Sequence, residues 1–328
     1  MAYERERETA LQAVRQAGFL SREIETELIG EETLVKGDKS PVTVADYAAQ
    51  AVVCRIVGDA FPGDAIVGEE DAKDLSAPEN RGLLERVTSY VGRVIPGATE
   101  DEVCCWIDRG NGDAVGRFWT LDPIDGTKGF IRGDQYAVAL ALVEEGDVKV
   151  GLLACPNLPL SPGGGGERGA IFAAVRGEGT VMLPLEGGGE ERLSVSVATG
   201  FASSRMAEGV EAAHSDHEGQ SALAGSLGIV KPSVRMDSQA KYGAVARGEA
   251  EIYIRMPSPK TPDYREKIWD HAAGLLVVEE AGGRVTDIFG NRLDFTKGKR
   301  LLGNRGVLVT NGPLHDSVVR AISLPPGE

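Results

Sequence analysis

Two aspartates stand three residues apart in the stretch WTLDPIDGTKGF, which runs from Trp119 to Phe130. Pro123 removes a backbone donor and is unfavourable inside a strand, so we expect the chain to turn there. Such a turn can direct the Asp122 and Asp125 carboxylates and the Ile124 carbonyl at one point. Read alone, the stretch permits a turn, a helix cap or a metal site.

Acidic residues recur at the ends of other predicted elements. Glu69, Glu70 and Asp71 end the short predicted strand AIVGEED, and Asp270 precedes the helical pattern HAAGLLVVEEAGG, where it also reads as an N-cap. One surface acid is ordinary, but several acids in such settings indicate a cluster that needs a cation. Oxygen ligands without His or Cys suit Mg²⁺ better than zinc.

Gly126 and Thr127 extend this stretch towards an anion. Glycine lets a ligand approach the backbone closely, and a helical turn starting here would present free N–H groups to an anion. The hydroxyl of Thr127 could orient a water molecule. Together, these residues are typical of phosphate chemistry beside a metal.

Hydrophobic periodicity predicts the surrounding elements. Helices are expected at 4–29, in SPVTVADYAAQAVVCRIVGDAF with Asp46 near its start, near 83–94, in EGQSALAGSLGI and after Asp270. Strands are expected in FWTLDPID, YAVALALVEEGDVKVGLLACP, AIFAAVRGEGTVML, LSVSVATG, EIYIRMP, GRVTDIFGNRLDF and GVLVTN. Residues 30–39 read as a polar loop, and most of 72–113 reads as irregular.

This mixture predicts stacked layers of helix and sheet, because no regular βαβ repeat is present. A chain of 328 residues exceeds the usual size of a single core. We therefore expect an N-terminal α+β subdomain at 1–193 that carries most of the acids. A C-terminal α/β subdomain at 194–328 would supply Asp270.

The net charge of −15 bears on the class of ligand. It disfavours binding to a nucleic-acid backbone, suits recruitment of divalent metal, and allows a small anionic substrate where local cations invert the field. No apolar run reaches the length of a membrane span, and no signal peptide or transit composition is visible. We expect an intracellular protein, cytoplasmic or organellar and monomeric, whose four cysteines, without a CxxC pair, are reduced.

The order of these motifs resembles the inositol monophosphatase superfamily of lithium-sensitive, magnesium-dependent phosphatases. Asp46, GEED, DPIDGT and WDHAAG follow one another as in that superfamily. Haloacid-dehalogenase-type phosphatases also contain DGT, but they need Asp-x-Asp spacing, which is absent here. SPVTVADYAAQ, DSQAKYGAVARG and YREKIWDHAAG are similar in detail to the plant-type 3′(2′),5′-bisphosphate nucleotidase branch. The fold implied is a layered αβαβα sandwich of the inositol monophosphatase / fructose-1,6-bisphosphatase type.

The resemblance also implies roles for individual residues. By resemblance, two or three Mg²⁺ ions are held by Glu69, Asp122, Asp125, Asp270 and the Ile124 carbonyl, with Glu70 a support for the site or a ligand to a weaker ion. Li⁺ would inhibit by replacing one Mg²⁺. Asp46 and Thr127 match the pair that orients and deprotonates the attacking water, and the Gly126 and Thr127 amides would hold the phosphoryl group. Ser238, Lys241, Arg255 and His214 match the positions that bind the base and the 5′-phosphate, with His217 the alternative to His214.

The expected reaction is hydrolysis of the 3′-phosphate of adenosine 3′,5′-bisphosphate to AMP and phosphate. Adenosine 3′-phosphate 5′-phosphosulfate is expected as a second substrate. Alternatives with the same chemistry are removal of the 1-phosphate of inositol 1,4-bisphosphate and inositol monophosphatase activity. An alternative of another class is a non-catalytic sensor of bisphosphate nucleotides.

Overall fold

The structure is a computed structural model and describes residues 2–30, 40–210, 217–257, 261 and 263–323. Within these ranges the side chains of 28–30, 40–42 and 217–218 are not described. The described part contains no helix that is long and apolar enough to cross a membrane.

Helices and strands alternate in an irregular order along the chain. The helices are α1 (Glu4–Gly30), α2 (Ser40–Ala60), α3 (Arg81–Val94), α4 (Glu100–Asp108), α5 (Thr127–Arg132), α6 (His217–Leu227), α7 (Ala240–Ala246), α8 (Ala272–Glu280) and α9 (His315–Ser323). The strands are β1 (Ala65–Gly68), β2 (Arg117–Asp125), β3 (Ala137–Glu144), β4 (Asp147–Pro159), β5 (Arg168–Val175), β6 (Gly179–Pro184), β7 (Glu191–Arg192), β8 (Met206–Glu208), β9 (Val234–Arg235), β10 (Ile252–Arg255), β11 (Arg284–Thr286) and β12 (Val307–Thr310).

The strands form two sheets. Strands β1 to β7 lie side by side in chain order, with β1 parallel to β2 and each later neighbour antiparallel. The second sheet has the order β11-β12-β10-β8-β9. The parallel register of β1 and β2 places Gly68 opposite Leu121, so the next residues, Glu69 just after β1 and Asp122 within β2, are neighbours.

Strand β3 shows how alternation along a strand builds the layers. Its leucines, Leu140 and Leu142, pack with α1 and α2 on one face of the first sheet. Its alternate residues, such as Ala139 and Ala141, face the opposite way and share a core with α7 and α8. Small residues on this face let α8 approach the sheet closely. A Cβ on Gly151 in the neighbouring strand β4 would lie 2.8 Å from the backbone oxygen of Ala273 in α8.

The core around α7 and α8 also contains the inner face of the second sheet, through residues such as Val309. The outer face of that sheet, including Ile252 and Leu308, packs against Val318 of α9 and Leu223 of α6. The order of layers is therefore helices, sheet, helices, sheet, helices, which confirms the expected αβαβα sandwich. The subdomain boundary at residue 193 stays a prediction.

Two sequence expectations were wrong. LSVSVATG forms no strand, because Leu193 and Val195 donate only single backbone hydrogen bonds to Thr180 and Ala281 as the chain crosses between the sheets. The segment 72–113 is less irregular than expected, since it contains α4 as well as α3. A capping box between Thr99 and Glu102 begins α4.

The cysteines carry no disulfide. Cys54 and Cys155 are buried, Cys104 is half-buried and Cys105 is exposed. Burial raises the pKa of the Cys54 and Cys155 thiols to about 12, so both stay protonated and unreactive at neutral pH.

A buried histidine attaches α9 to the second sheet. His315 is fully buried, with Nε2 at 2.9 Å from the Thr286 hydroxyl and Nδ1 at 2.9 Å from the Thr310 hydroxyl. Thr286 donates its hydroxyl proton to a backbone carbonyl, and Thr310 already accepts from the Gly312 N–H. The neutral tautomer with a proton on Nε2 therefore satisfies both contacts.

We predict that this contact weakens in acid. Burial lowers the pKa of His315 from its ordinary value of 6.5 to about 4, so the unfolded chain takes up the proton first as the pH falls between those values. The excess stability of the wild type over His315→Gln should shrink by roughly 2 kcal/mol between pH 7.5 and 4.5. Urea unfolding at both pH values measures it, and an unchanged difference would contradict the neutral, buried assignment.

Candidate active site

A cavity of about 250 Å³ opens where the acidic motifs meet. Its walls come from the ends of β1 and β2, the start of α5, the residue after β8, the segment that leads into α7, strand β10 and Asp270 before α8. The residues around it are Glu69, Asp122, Ile124, Asp125, Gly126, Thr127, Lys128, Gly209, Asp237, Ser238, Gln239, Lys241, Tyr253, Ile254, Arg255 and Asp270. Acids from four distant parts of the chain therefore share one cavity: Glu69, Asp122 with Asp125, Asp237, and Asp270.

The end of β2 directs two of these acids. The pairing of β2 with β3 is irregular between Asp122 and Asp125, at the place where Pro123 cannot donate to a ladder. The strand thus continues to Asp125 rather than ending at the proline as expected. Asp122 is buried at 3% exposure, and both carboxylates line the cavity.

Gly126 allows the sharp turn that follows. Its φ of 93° lies in the left-handed region, which favours glycine. A Cβ at this position would lie 2.9 Å from the Cβ of Ser238, so only glycine lets the two segments approach this closely. Helix α5 begins at the next residue, Thr127, as the sequence analysis expected.

The acids raise one another's pKa. Burial, followed by repulsion from Glu69, Asp125 and Asp270, holds the pKa of Asp122 well above its usual range. Burial also raises the pKa of Glu69 and of Asp125, and it raises that of Asp270 to about 7. Protein groups alone do not compensate this concentration of negative charge.

The donor set fits a hard divalent cation. All of these side chains offer oxygen, which is the ligand type that Mg²⁺ prefers. The Oδ1 atom of Asp122 is buried and has no hydrogen-bond partner, which is costly unless a ligand satisfies it. Glu69, Asp122, Asp125 and Asp270 are thus suited to hold a cation in the cavity.

Asp46 lies beside this cluster on the second turn of α2, which begins at Ser40. Burial raises the pKa of Asp46 well above its ordinary value, with further contributions from Glu70 and Glu69. Glu70 does not line the cavity. Its backbone N–H and carbonyl both bond to the side chain of Gln50, four residues after Asp46, so α2 also positions the acid-bearing end of β1.

Two cations lie close to the acids. Lys241 is buried at 8% exposure, and burial lowers its pKa to about 8, although Asp125 and Asp237 oppose the shift. Arg255 is half-buried: burial opposes its charge, but the combined attraction of Glu266, Tyr253 and Asp270 raises its pKa. These side chains offer positive charge in a protein of net charge −15.

A hydrogen-bonded chain orients Arg255. Its Nε lies 3.0 Å from Glu266 Oε2, which also lies 3.3 Å from His271 Nε2. The other ring nitrogen of His271 lies 2.7 Å from the Tyr242 hydroxyl. Glu266, His271 and Asp270 can each place a ligand atom within 4.8 Å of the others. However, only Asp270 of the three lines the cavity, so we interpret Glu266 and His271 as supports for Arg255.

Some sequence expectations for the site need correction or lie outside the description. Asp270 is not an N-cap, because α8 has His271 at that position, without a side-chain cap bond. His214 lies outside the described residues, and of His217 only the backbone is described. Ser238 lines the cavity with a φ of 66°, which is rare for a non-glycine residue.

Sequence reasoning missed Gln50, Gln239 and Glu266. Each lies next to a motif. Its hydrogen-bond or ion-pair partner, however, is either distant in the chain or brought close by a turn that residue spacing does not predict. Gln50 could have been found from the sequence, because it is a polar residue within the apolar, buried face of α2.

Comparison with known proteins identifies the class of this fold and site. The model of the inositol monophosphatase family matches residues 2–323. A solved inositol monophosphatase from Zymomonas mobilis has a TM-score of 0.65 at 21% identity, covering 99% of this chain and 100% of the other; this likeness concerns the fold alone. The chain belongs to the inositol monophosphatase family.

The similarity extends to particular members. A protein of Emericella nidulans named 3′(2′),5′-bisphosphate nucleotidase is 43% identical, and the alignment covers 98% of each chain. An Arabidopsis thaliana protein named 3′(2′),5′-bisphosphate nucleotidase 1 is 44% identical, with 98% of this chain and 96% of the relative covered. The resemblance seen in the sequence motifs is confirmed.

We predict that Asp122→Asn stabilises the metal-free protein. The raised pKa means that ionisation of Asp122 at pH 8 costs stability in the folded state. Removal of its charge should raise the free energy of unfolding in EDTA by about 0.5 to 2 kcal/mol. If the cluster binds Mg²⁺, added Mg²⁺ should stabilise the wild type, and Asp122→Asn should cancel that effect. Urea unfolding with and without Mg²⁺ measures both effects.

Asp287→Asn is the matched control. Asp287 is equally buried, but its carboxylate accepts from the Phe289 and Asn291 N–H groups, each at 2.9 Å. The control should therefore lose stability with or without Mg²⁺. A metal-free Asp122→Asn protein that is less stable than the wild type would contradict the repulsion assigned to this cluster.

Proposed function

We propose that the protein hydrolyses the 3′-phosphate of adenosine 3′,5′-bisphosphate to give AMP and inorganic phosphate. The observation that carries this proposal is a single cavity with both an acidic cluster and fixed cations, Lys241 and Arg255. A metal-dependent phosphatase needs the acids, and a substrate with a second phosphate gives the cations a partner. The names of the two nucleotidase relatives support the same substrate.

We propose that Glu69, Asp122, Asp125 and Asp270, with the Ile124 carbonyl, hold Mg²⁺, and that Glu70 supports the site or binds a weaker ion. When bound, such ions lower the pKa of a water and stabilise charge on the oxygens of an in-line phosphoryl transfer. The raised pKa of each of these four acids supports this assignment, because a cation would relieve the repulsion. Inhibition by Li⁺ belongs to the same proposal.

The chain's own residues complete the reaction. The raised pKa of Asp46 makes it a better proton acceptor than an exposed aspartate, and the Thr127 hydroxyl would orient the water. The water oxygen forms a bond to phosphorus while the bond between phosphorus and the ribose 3′-oxygen breaks. The ribose 3′-oxygen takes up a proton and becomes a hydroxyl group. The Gly126 and Thr127 amides would hold the phosphoryl oxygens.

Lys241, Arg255 and Ser238 would hold the other end of the nucleotide. Arg255 presents a planar fork of donors that suits a phosphate, and Glu266 holds its Nε at 3.0 Å. His214 or His217 would contact the base. Adenosine 3′-phosphate 5′-phosphosulfate offers an anionic group at the same place and is a second expected substrate.

The direct test is a comparison of substrates at equal Mg²⁺ concentration. Phosphate release should be faster from adenosine 3′,5′-bisphosphate than from inositol 1,4-bisphosphate or inositol 1-phosphate, and the nucleotide product should be AMP. Asp125→Asn should abolish turnover while circular dichroism shows an intact fold. Preference for either inositol phosphate would overturn the substrate assignment, and tight nucleotide binding without phosphate release would favour the sensor.

The role of Arg255 gives a second prediction. Arg255→Gln should raise KM for adenosine 3′,5′-bisphosphate about 10- to 100-fold, as expected for loss of a charged hydrogen bond. Turnover of adenosine 3′-monophosphate, which lacks the 5′-phosphate, should change much less. Arg176→Gln is the control, because Arg176 forms an ion pair with Glu279 away from the cavity. Equal losses on both nucleotides would contradict a role for Arg255 at the 5′-phosphate.

A further inference from the structure

Gln239 contacts both acid-bearing segments of the cavity. Its backbone N–H donates to Asp125 Oδ2 at 2.6 Å. Its side-chain Nε2 donates to the Trp269 carbonyl at 2.9 Å, and its Oε1 accepts from the Gly274 N–H at 3.2 Å. The side chain is buried at 2% exposure, and both polar groups of its amide therefore have partners.

The backbone before Gln239 explains how it reaches Asp125. Ser238 has a φ of 66°, in the left-handed region, and Gln239 then has a φ of −67° at the position before α7. This reversal directs the Gln239 N–H away from the helix and at the carboxylate. The bond also opposes the rise that burial causes in the pKa of Asp125.

The side chain of Gln239 completes the start of α8. His271 occupies the N-cap of that helix without making a side-chain cap bond, so the amide of Gly274, in the first turn, needs an acceptor from elsewhere. Gln239 supplies it, and at the same time binds the carbonyl of Trp269. These two backbone groups lie on either side of Asp270 in the sequence, so the amide fixes the turn that presents Asp270 to the cavity.

Close packing makes this attachment stiff. A Cβ on Gly274 would lie 2.4 Å from the ring of Tyr242 in α7, so α7 and α8 touch where Gln239 joins them. Asp125 and Asp270 repel each other, and each contributes to the raised pKa of Asp122. The Gln239 amide opposes this repulsion by joining the segments that carry the two acids.

We infer that Gln239 is a positioning residue that holds the Asp125 and Asp270 carboxylates in the arrangement that binds divalent cations. This inference rests on the proposed function, because it takes both acids as cation ligands. Loss of a group that supports a metal ligand typically weakens metal affinity or activity 10- to 100-fold. The side chain of Gln239 bonds to backbone groups of Trp269 and Gly274, so its role is to position the acids.

The test is Gln239→Met, which keeps the length and the backbone N–H but removes the amide. The dissociation constant for Mg²⁺, measured by calorimetry without substrate, should rise about 10- to 100-fold. The Mg²⁺ concentration for half-maximal turnover should rise by the same factor, while kcat at saturating Mg²⁺ stays within about threefold of the wild type. If this variant does not fold, Gln239→Asn, whose amide is too short to reach both partners, serves the same measurements.

Asn311→Leu is the matched control. Asn311 is fully buried, and its Nδ2 donates to the Ser196 and Ala198 carbonyls at 2.9 and 2.8 Å, away from the cavity. The Asn311→Leu variant should have a lower melting temperature, as Gln239→Met should, but an unchanged affinity for Mg²⁺. Unchanged Mg²⁺ affinity in Gln239→Met, or an equal loss of affinity in both variants, would overturn the inference. The proposed function would stand in that case if the wild type still releases phosphate. A wild type that neither binds Mg²⁺ nor releases phosphate would overturn the proposed function as well.

Discussion

The repulsion among carboxylates that share one cavity is the constraint on which the rest of this structure depends. Glu69, Asp122, Asp125 and Asp270 share a cavity in which burial raises the pKa of each. Such an arrangement is unfavourable by itself and exists only because the surrounding elements hold it. The parallel register of β1 and β2, the irregular end of β2 and the start of α8 each hold one part of the acidic cluster.

The layered fold provides this restraint. Alternation along β3 directs leucines at α1 and α2 and alanines at α8, so α8 lies close to the first sheet and Asp270 lies near the end of β2. The second sheet covers the other side of α7 and α8 and contributes Arg255 from β10. Acids and cations from both halves of the chain thus meet at the edge of one shared core.

The balance of charge at the cavity is local. The protein carries a net charge of −15, yet Lys241 and Arg255 line the same cavity as the acids. Glu266 keeps Arg255 charged and oriented, and His271 and Tyr242 support Glu266 in turn. A phosphate-bearing ligand would therefore meet a fixed cation in a protein whose overall field repels anions.

The sequence by itself determined the helices α1, α2, α3, α6 and α8, most strands, the layered class and most of the acids at the cavity, because local periodicity and motif order carry that information. It did not reveal α4, it suggested a strand in LSVSVATG, and it suggested a cap at Asp270. Only the tertiary structure decided how the acids are held: Gln239 bonds to Asp125 across 114 positions, and Gln50 to Glu70 across 20. Local propensity acts between near neighbours, whereas a buried amide finds its partners only after the layers have packed.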